Sequence, residues 1–479
     1  LLRAEEEEEE EAGPGALLWS WYLRAVLHEQ AGEYAEGLSL IDRCIDHTPT
    51  AVDFYELKAR LLEAGGDVGR AADVVDAGRD LDHQDRYINN LATRLLMRAG
   101  REDDARDRIA MFTRHEGDPE RNLYDMQCVW YELELADCCR RKGDLGRGLR
   151  KYMAVIKHYQ DFHDDQFDFH AYCIRKVTLR SYCDLLRFED DIWGLPLYGR
   201  AAEAVIGIHL HLLDNPVVDD REVEPDYSNM TPAERKKAKN IARKKKKKLE
   251  QQRKESAEDA RAKDGKNGNS NKKKAKPHVI DEDPEGKELL KLDHLDEARK
   301  YATILARHAP RRVSSWAWQY DVSIRRGKYL MALQALFKMR GISPTSHELF
   351  SRTVDFAQKL ASRPAEQKCS EAAEGVISSE FPDLMSGESL PDFVASAARD
   401  VKSDPLSSLP MRTAVAKALV STGAGSKADA AALILDSKLN TRGVDMETCR
   451  AALDFMGTLG SDNKNAMAAL VKARFPFSK

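Results

Sequence analysis

The chain has 479 residues, too many for one compact hydrophobic core, so its length predicts several domains or a solenoid. Apolar residues make up 42% and charged residues 32%, which suffices for buried cores and leaves a wide polar surface. No run of eighteen apolar residues occurs, which excludes a transmembrane helix from the sequence. The formal net charge of −5 conceals an asymmetry, because residues 235–276 carry +14 and the rest of the chain −19. One short segment is therefore suited to polyanions.

The first repeats follow an acidic leader, residues 1–15, that we expect to be disordered. Since the chain opens at Leu1 rather than Met, we also expect it to be a fragment or a partial gene model. Gly32, Gly66 and Gly100 then recur 34 residues apart, each between two helical stretches. Small residues recur in the same register, at Ala25, Ala59, Gly37, Ala71 and Ala105. Small side chains let paired helices approach closely, so this pattern predicts stacked helix pairs of the tetratricopeptide type.

Later segments repeat the pattern. Trp21 and Tyr55 open the first two units with an aromatic residue, and Asn89 departs from that rule in the third. Further units carry matching residues at Ala136, Gly143 and Gly148, and at Trp316, Gly327 and Ala332. No strand alternation is evident. We predict an all-α, tetratricopeptide-type helical-repeat superhelix over residues 16–216 and 287–340, followed by a carboxy-terminal helical region over residues 341–479.

A basic segment, residues 217–286, interrupts these repeats. Thr231, Pro232 and Glu234 give a good helix entry, but the helix that follows has almost no apolar stripe, and the later Gly/Asn/Lys-rich run is typical of disorder. Without interleaved aromatic residues, we expect contacts to a phosphate backbone that do not depend on base sequence. A nuclear-import signal or a merely solvated charge run are the alternatives. The candidate ribosome or RNA contacts are Lys236, Lys237, Lys239, Arg243, Lys244, Lys245, Lys246, Lys247 and Lys248.

A second basic cluster lies in the helical stretch HAYCIRKVTLRSY. Lys176 and Arg180 are four residues apart and share a helix face, with Arg175 beside them. Together with Arg150 and Lys151 of the preceding repeat helix, they are candidates for a pocket that holds a compact polyanion. An exposed helix face without a ligand is the alternative.

The sequence shows no catalytic constellation. Acetyltransferases commonly hold the pyrophosphate of acetyl-CoA with an Arg/Gln-x-x-Gly-x-Gly/Ala turn, and no segment matches it. The eight cysteines form no CxxC pair and are interpreted as reduced helix-packing residues. His209 and His211 flank Leu210 in a helical stretch and so face different sides. We predict no catalytic residue, no metal and no cofactor of the chain's own.

Four segments resemble the auxiliary subunit of the N-terminal acetyltransferase A complex: NLYDMQCVW at 122–130, DDQFDFHAYCIRKVTLRSYCDLLRFED at 164–190, LLDNPVVDD at 212–220 and NMTPAERKKAKNIARKKKKK at 229–248. The resemblance implies a helical scaffold that wraps a small catalytic subunit and binds no acetyl-CoA itself. It further implies ribosome-associated, cytoplasmic action in co-translational acetylation, with the basic segment on ribosomal RNA. Neither a membrane nor DNA is expected as a partner.

The resemblance also implies an inositol hexakisphosphate at the subunit interface, for which Arg175, Lys176, Arg180 and Lys151 are the candidate ligands. Family members are much longer and begin with more repeats. The alternative function is a general tetratricopeptide adaptor for the peptide tails of chaperones or other partners. A third hypothesis is that the chain is itself an enzyme, but the lack of a recognisable set of catalytic residues disfavours it.

Overall fold

The architecture is a succession of α-helices. In the computed structural model the described residues are 14–114, 117–165, 172, 175–176, 178–216, 283–364 and 369–478. Within these ranges no strand occurs, so the predicted all-helical fold class is confirmed. Residues 1–213 and 284–479 belong to one compact unit, and residues 214–283 belong to a second.

The helices are α1 (Pro14–Ala31), α2 (Tyr34–His47), α3 (Val52–Ala64), α4 (Val68–Arg79), α5 (Arg86–Arg98), α6 (Glu102–Ala110), α7 (Pro119–Asp125), α8 (Val129–Arg141), α9 (Leu145–Asp164), α10 (Leu179–Asp191), α11 (Pro196–Asp214), α12 (His294–His308), α13 (Val313–Arg325), α14 (Tyr329–Ile342), α15 (His347–Ser362), α16 (Glu371–Leu384), α17 (Leu390–Ser403), α18 (Leu409–Thr422), α19 (Lys427–Leu435), α20 (Met446–Leu459) and α21 (Ser461–Arg474). Short 3-10 turns span Ile192–Gly194 and Leu289–Lys291.

Glycines with positive φ close the turns between paired helices. Gly32, Gly66 and Gly100 have φ of +77°, +99° and +80°, at the turns of the pairs α1/α2, α3/α4 and α5/α6. Gly143 and Gly327 also have positive φ, at the turns of α8/α9 and α13/α14. A Cβ atom disfavours this backbone region, so the 34-residue glycine spacing marks the turns of the array. The predicted tetratricopeptide-type units are therefore confirmed.

The small residues of the repeat lie where helices cross. At Gly37 of α2, an added Cβ would lie 2.9 Å from Leu61 Cδ2 on α3 and 3.3 Å from the Ala25 carbonyl oxygen on α1. Three helices meet at this one position, which explains why a small residue recurs there. The alanines at the other crossing positions are fully buried: Ala25, Ala59, Ala71 and Ala105.

In two units the aromatic residue that opens the unit is bonded to the end of the preceding helix pair. Tyr55 Oη donates to the Pro49 carbonyl oxygen at 2.9 Å, and Trp316 Nε1 donates to the Pro310 carbonyl oxygen at 2.8 Å. Six residues separate donor and acceptor in both cases. Asn89, which replaces the aromatic residue in the third unit, is buried and donates from Nδ2 to a carbonyl oxygen at the end of α6. It therefore joins the two helices of its own pair.

Helices before and after the basic segment share a core. Tyr198 and Val205 of α11 lie in the same buried cluster as Tyr301 and Leu305 of α12. At the neighbouring junction, Ser314 Oγ at the start of α13 donates to a carboxylate oxygen of α11 at 2.8 Å. The repeat packing therefore continues from α11 to α12 and α13, although residues 217–282 separate α11 and α12 in the sequence.

The carboxy-terminal helices pack in a core of their own and return to the first repeats. Val415, Ile434 and Met456 lie in one buried cluster. Beyond α21, the Phe477 amide donates to the Gly65 carbonyl oxygen at 3.0 Å, and its ring lies against Gly65. Nothing in the sequence of residues 341–479 predicted this contact, because that region carries no recognised motif.

Candidate interaction surface

The first helices of successive pairs are joined by ion pairs between their charged side chains. Arg60 Nε on α3 donates to Glu29 Oε1 on α1 at 2.9 Å, and Arg98 Nη1 on α5 lies 2.7 Å from a carboxylate oxygen on α3. Arg200 on α11 pairs with Asp137 on α8. We call the set the ion-pair row, and its members are Glu29, Arg60, Glu63, Arg98, Glu134, Asp137 and Arg200.

Glu134 is the buried member of this row. Its side chain is only 6% exposed, and Oε1 lies 3.2 Å from Arg98 Nη2 and 3.6 Å from Arg200 Nη2. Burial by itself would lower the pKa of Arg98, but hydrogen bonds to Glu134 and Glu63 outweigh it and raise that pKa. The buried carboxylate is thus held by guanidinium groups from the helices on either side, which fixes the spacing of α5, α8 and α11.

A cavity of about 1030 Å³ adjoins the row at Asp137 and Arg200. Its walls come from α8, the start of α9, α11, the start of α13 and α20, and we call it the arginine cavity. The residues that carry its chemistry are Arg140, Arg141, Arg200, Arg312, Trp318 and Glu447. Sequence reasoning did not bring these residues together, because they come from four different helices or their first turns and no sequence spacing connects one helix with the next.

The four predicted inositol-phosphate ligands differ in their contacts: one is paired with a carboxylate, and the others are exposed. Lys151 Nζ donates to Glu120 Oε2 at 2.6 Å, and this largely covered carboxylate also pairs with an arginine of α6. Burial alone would raise the pKa of Glu120, but the contacts with these two cations outweigh it and lower that pKa. Arg175, Lys176 and Arg180 are exposed, with the Arg175 guanidinium 6.0 Å from a tyrosine ring centre. That these residues share one inositol-phosphate pocket stays a prediction.

The predicted RNA contacts from Lys236 to Lys248 lie outside the described residues. Their role stays a prediction as well. Within the described ranges no helix is long and apolar enough to cross a membrane.

The cysteines behave as packing residues at most positions. Cys44, Cys138, Cys139 and Cys449 are buried, whereas Cys183 is exposed. Burial raises the pKa of Cys44 and of Cys139 to about 11, which keeps these thiols protonated at neutral pH. In the part of the chain that the structure describes, no group of three or more His, Cys, Asp or Glu side chains is placed to hold a metal ion.

A pair of histidines forms a contact that the sequence did not predict. His209 is buried and His211 is exposed, as expected for opposite helix faces. His209 Nδ1 on α11 lies 3.1 Å from His294 Nδ1 on α12, so one ring donates to the other. The two residues are 85 positions apart, and only the packing of α11 on α12 brings them together.

The comparisons with known proteins agree on one family. A family model described as N-terminal acetyltransferase A, auxiliary subunit, matches residues 2–339. The N-terminal acetyltransferase A complex auxiliary subunit NAA15 of Arabidopsis thaliana is 41% identical over 338 residues, which cover 70% of this chain and 37% of that protein. The N-alpha-acetyltransferase 16, NatA auxiliary subunit, of Mus musculus is 34% identical over 356 residues, with coverages of 72% and 41%.

A solved structure is similar in fold over most of this chain. A chain in the structure of Naa15/Naa10 bound to HypK-THB matches with a TM-score of 0.57 at 26% identity, covering 73% of this chain and 43% of that chain. The present chain thus spans about two fifths of the length of these relatives. The family model includes all four segments that carried the resemblance, and the family description of an auxiliary subunit agrees with the prediction of a non-catalytic one. The chain belongs to the family of auxiliary subunits of N-terminal acetyltransferase A.

Proposed function

We propose that this chain is a non-catalytic scaffold that binds a catalytic N-terminal acetyltransferase subunit and holds it at the ribosome, in the cytoplasm, during translation. The observation that carries the proposal is the structural match to a chain solved in the Naa15/Naa10 assembly. The family resemblance implies that the catalytic partner makes and breaks the bonds. A helical array with a pre-formed surface suits that division of labour, because solenoids act by presenting extended surfaces.

The partner docks on the first helices of the amino-terminal pairs. Tyr87 of α5 is 60% exposed, and its hydroxyl donates to Glu56 Oε1 of α3 at 2.8 Å, which orients the ring. Exposed, oriented aromatic side chains frequently dominate protein interfaces. The ion-pair row holds the same helices at fixed spacing, so little ordering is required when the partner binds.

The test is co-elution of the chain with the catalytic subunit in size-exclusion chromatography with light scattering. We expect a one-to-one complex, and we expect Tyr87→Ala to weaken it by roughly tenfold. Leu406→Ala is the matched control, since Leu406 is also exposed, at 55%, but lies in the carboxy-terminal region. A failure of the unmodified chain to bind the catalytic subunit would contradict the scaffold role.

Ribosome attachment is tested separately. The supporting observation is the local charge of +14 over residues 235–276. Replacing Lys244–Lys248 with glutamate should weaken co-sedimentation with ribosomes and leave binding of the catalytic subunit intact. For 6–10 phosphate contacts, the affinity of the unmodified chain should fall by about 10³–10⁵ between 50 and 200 mM salt. Sedimentation of the variant at moderate salt would rule out the RNA contact.

The inositol hexakisphosphate site is a third element of the proposal. Lys151 would exchange its bond with Glu120 for phosphate oxygens, while Arg175, Lys176 and Arg180 are already exposed. Replacing Lys176 and Arg180 with glutamate should lower the melting temperature of the complex only when inositol hexakisphosphate is present. An equal fall without the ligand would remove these residues from the site.

A further inference from the structure

The arginine cavity holds more positive charge than its carboxylates neutralise. Arg141 Nη2 donates to the Met97 carbonyl oxygen at 3.1 Å, and Arg312 Nη2 donates to the Gly194 carbonyl oxygen at 2.9 Å. Both acceptors are neutral, so these bonds orient the guanidinium groups without cancelling their charge. Arg140 is 51% exposed, and its Nε lies 4.0 Å from an Asp137 oxygen, at the outer limit of an ion pair.

Two of the three carboxylates that line the cavity are already bonded to other side chains of its wall. Asp137 is bonded to Arg200 and also accepts from the Tyr152 hydroxyl. Glu203 Oε1 accepts from Ser314 Oγ at 2.8 Å. Glu447 of α20 also lines the cavity and is exposed. The cavity therefore offers guanidinium donors to an incoming anion, while the acidic groups among them disfavour a ligand of very high negative charge.

One wall of the cavity is apolar. Trp318 of α13 lies against Gly207 of α11, where an added Cβ would be 3.4 Å from the indole ring. Ile208 and Leu145 add apolar side chains to the lining of the cavity. An inorganic or inositol polyphosphate has no apolar part to cover such a surface, whereas a peptide can place an aromatic side chain on it and carboxylates on the arginines.

We propose that the arginine cavity binds a short acidic segment of a protein partner, with one aromatic side chain against Trp318 and its neighbouring carboxylates on Arg140, Arg141 and Arg312. The volume of about 1030 Å³ accommodates several residues of peptide. The inference rests on the proposed scaffold role in one respect, that the ligand is part of a protein. It adds the chemistry of that ligand, an acidic segment with an aromatic residue.

The experiment measures fluorescence anisotropy of a labelled peptide with the core Glu-Asp-Trp-Glu-Asp, titrated with the full chain. Two control peptides, the twins, are titrated in the same way. In one twin, Gln and Asn replace the Glu and Asp residues; in the other, Ala replaces the Trp. We expect each twin to bind roughly tenfold more weakly or worse, since each loses charge-assisted bonds or the aromatic contact. Equal binding of either twin would overturn the proposal, as would the absence of binding by the acidic peptide.

Variants of the chain locate the peptide. Arg140→Glu should weaken binding by roughly tenfold or more. Arg311→Glu makes the same charge change at an exposed residue next to Arg312 but outside the cavity wall, and it should change binding less than about twofold. Equal losses in the two variants would indicate a general charge effect and overturn the site.

Two further measurements separate the alternatives. Inositol hexakisphosphate that displaces the peptide more effectively than unlabelled peptide does would assign the cavity to small polyanions and overturn the proposal. Tyr87→Ala should retain peptide binding, so loss of the catalytic subunit and loss of the peptide are distinguishable. Circular dichroism of each variant confirms the helical fold.

Discussion

Gly100 closes the turn between α5 and α6 with φ of +80°, and an added Cβ would meet only Lys142 Cε, at 4.0 Å. A substitution at Gly100 therefore tests the backbone conformation alone, because the new side chain makes almost no steric contact. We expect Gly100→Ala to lower the free energy of unfolding by about 1–2 kcal/mol, the cost of placing an L-residue in this region. Urea denaturation followed by circular dichroism measures the change.

Gly69→Ala is the matched control for that substitution. Gly69 lies in α4, and its added Cβ would meet Asp67 Oδ1 at an ordinary 3.5 Å. We expect its effect to stay within about 0.5 kcal/mol. Equal destabilisation by the two alanines would contradict the claim that the turn requires positive φ.

His209 gives the second prediction at this scale. Burial, followed by the neighbouring His294, lowers the pKa of His209 to about 4, whereas the unfolded chain titrates near 6.5. The unfolded state therefore binds a proton that the native state excludes. The free energy of unfolding should therefore keep its full value above pH 6.5. It should fall by up to about 3 kcal/mol as the pH drops towards 4, because protonation then favours the unfolded state.

Urea denaturation at pH 7, 6 and 5 tests the histidine prediction. His209→Gln should lose much of this pH dependence, while His211→Gln, on the exposed face of the same helix, should retain it. Identical pH profiles for the unmodified chain and His209→Gln would show that the buried pair does not control the dependence.

At the scale of helices, Arg98 connects α3, α5 and α8 through Glu63 and Glu134. Arg98→Ala leaves Glu134, only 6% exposed, with Arg200 at 3.6 Å. We expect the free energy of unfolding to fall by about 2–3 kcal/mol, because the loss leaves a buried carboxylate poorly paired. Chemical denaturation measures this loss.

Arg101→Ala provides the comparison, since Arg101 has nearly the same exposure and also two carboxylate partners. Those partners, Asp73 and Asp104, are 66% and 45% exposed. Its loss should cost less than about 1 kcal/mol. If Arg98→Ala and Arg101→Ala lower the free energy of unfolding equally, the burial of Glu134 does not explain the importance of Arg98.

The helix pairs were predictable because their requirements are local. A glycine at the turn and a small residue at the crossing recur at fixed spacing, as Gly66 and Ala71 show. The packing of α11 on α12 was not fully predictable, since 66 residues that carry no repeat signal separate the described parts. The arginine cavity was not predictable at all, because Arg140, Arg312 and Glu447 meet only through tertiary packing.

At the scale of the molecule, the carboxy-terminal end stabilises the first repeats. Phe477 is half-buried against the turn that joins α3 and α4, where its amide bonds to Gly65. Phe477→Ala should remove about 1 kcal/mol of apolar contact and so speed amide exchange in α3 and α4 by about fivefold. Lys472→Ala, at an exposed position of α21, should leave exchange unchanged. Unaltered exchange in Phe477→Ala would show that the contact contributes nothing in solution.

The division of labour between a presenting scaffold and a catalytic partner can be measured directly. The assay follows acetyl transfer from acetyl-CoA to a peptide with amino-terminal serine, using the chain alone, the catalytic subunit alone and the two together. We expect no transfer by the chain alone, and faster transfer by the mixture than by the catalytic subunit alone. Acetylation by the isolated chain, or a mixture no faster than its catalytic component, would contradict the scaffold role.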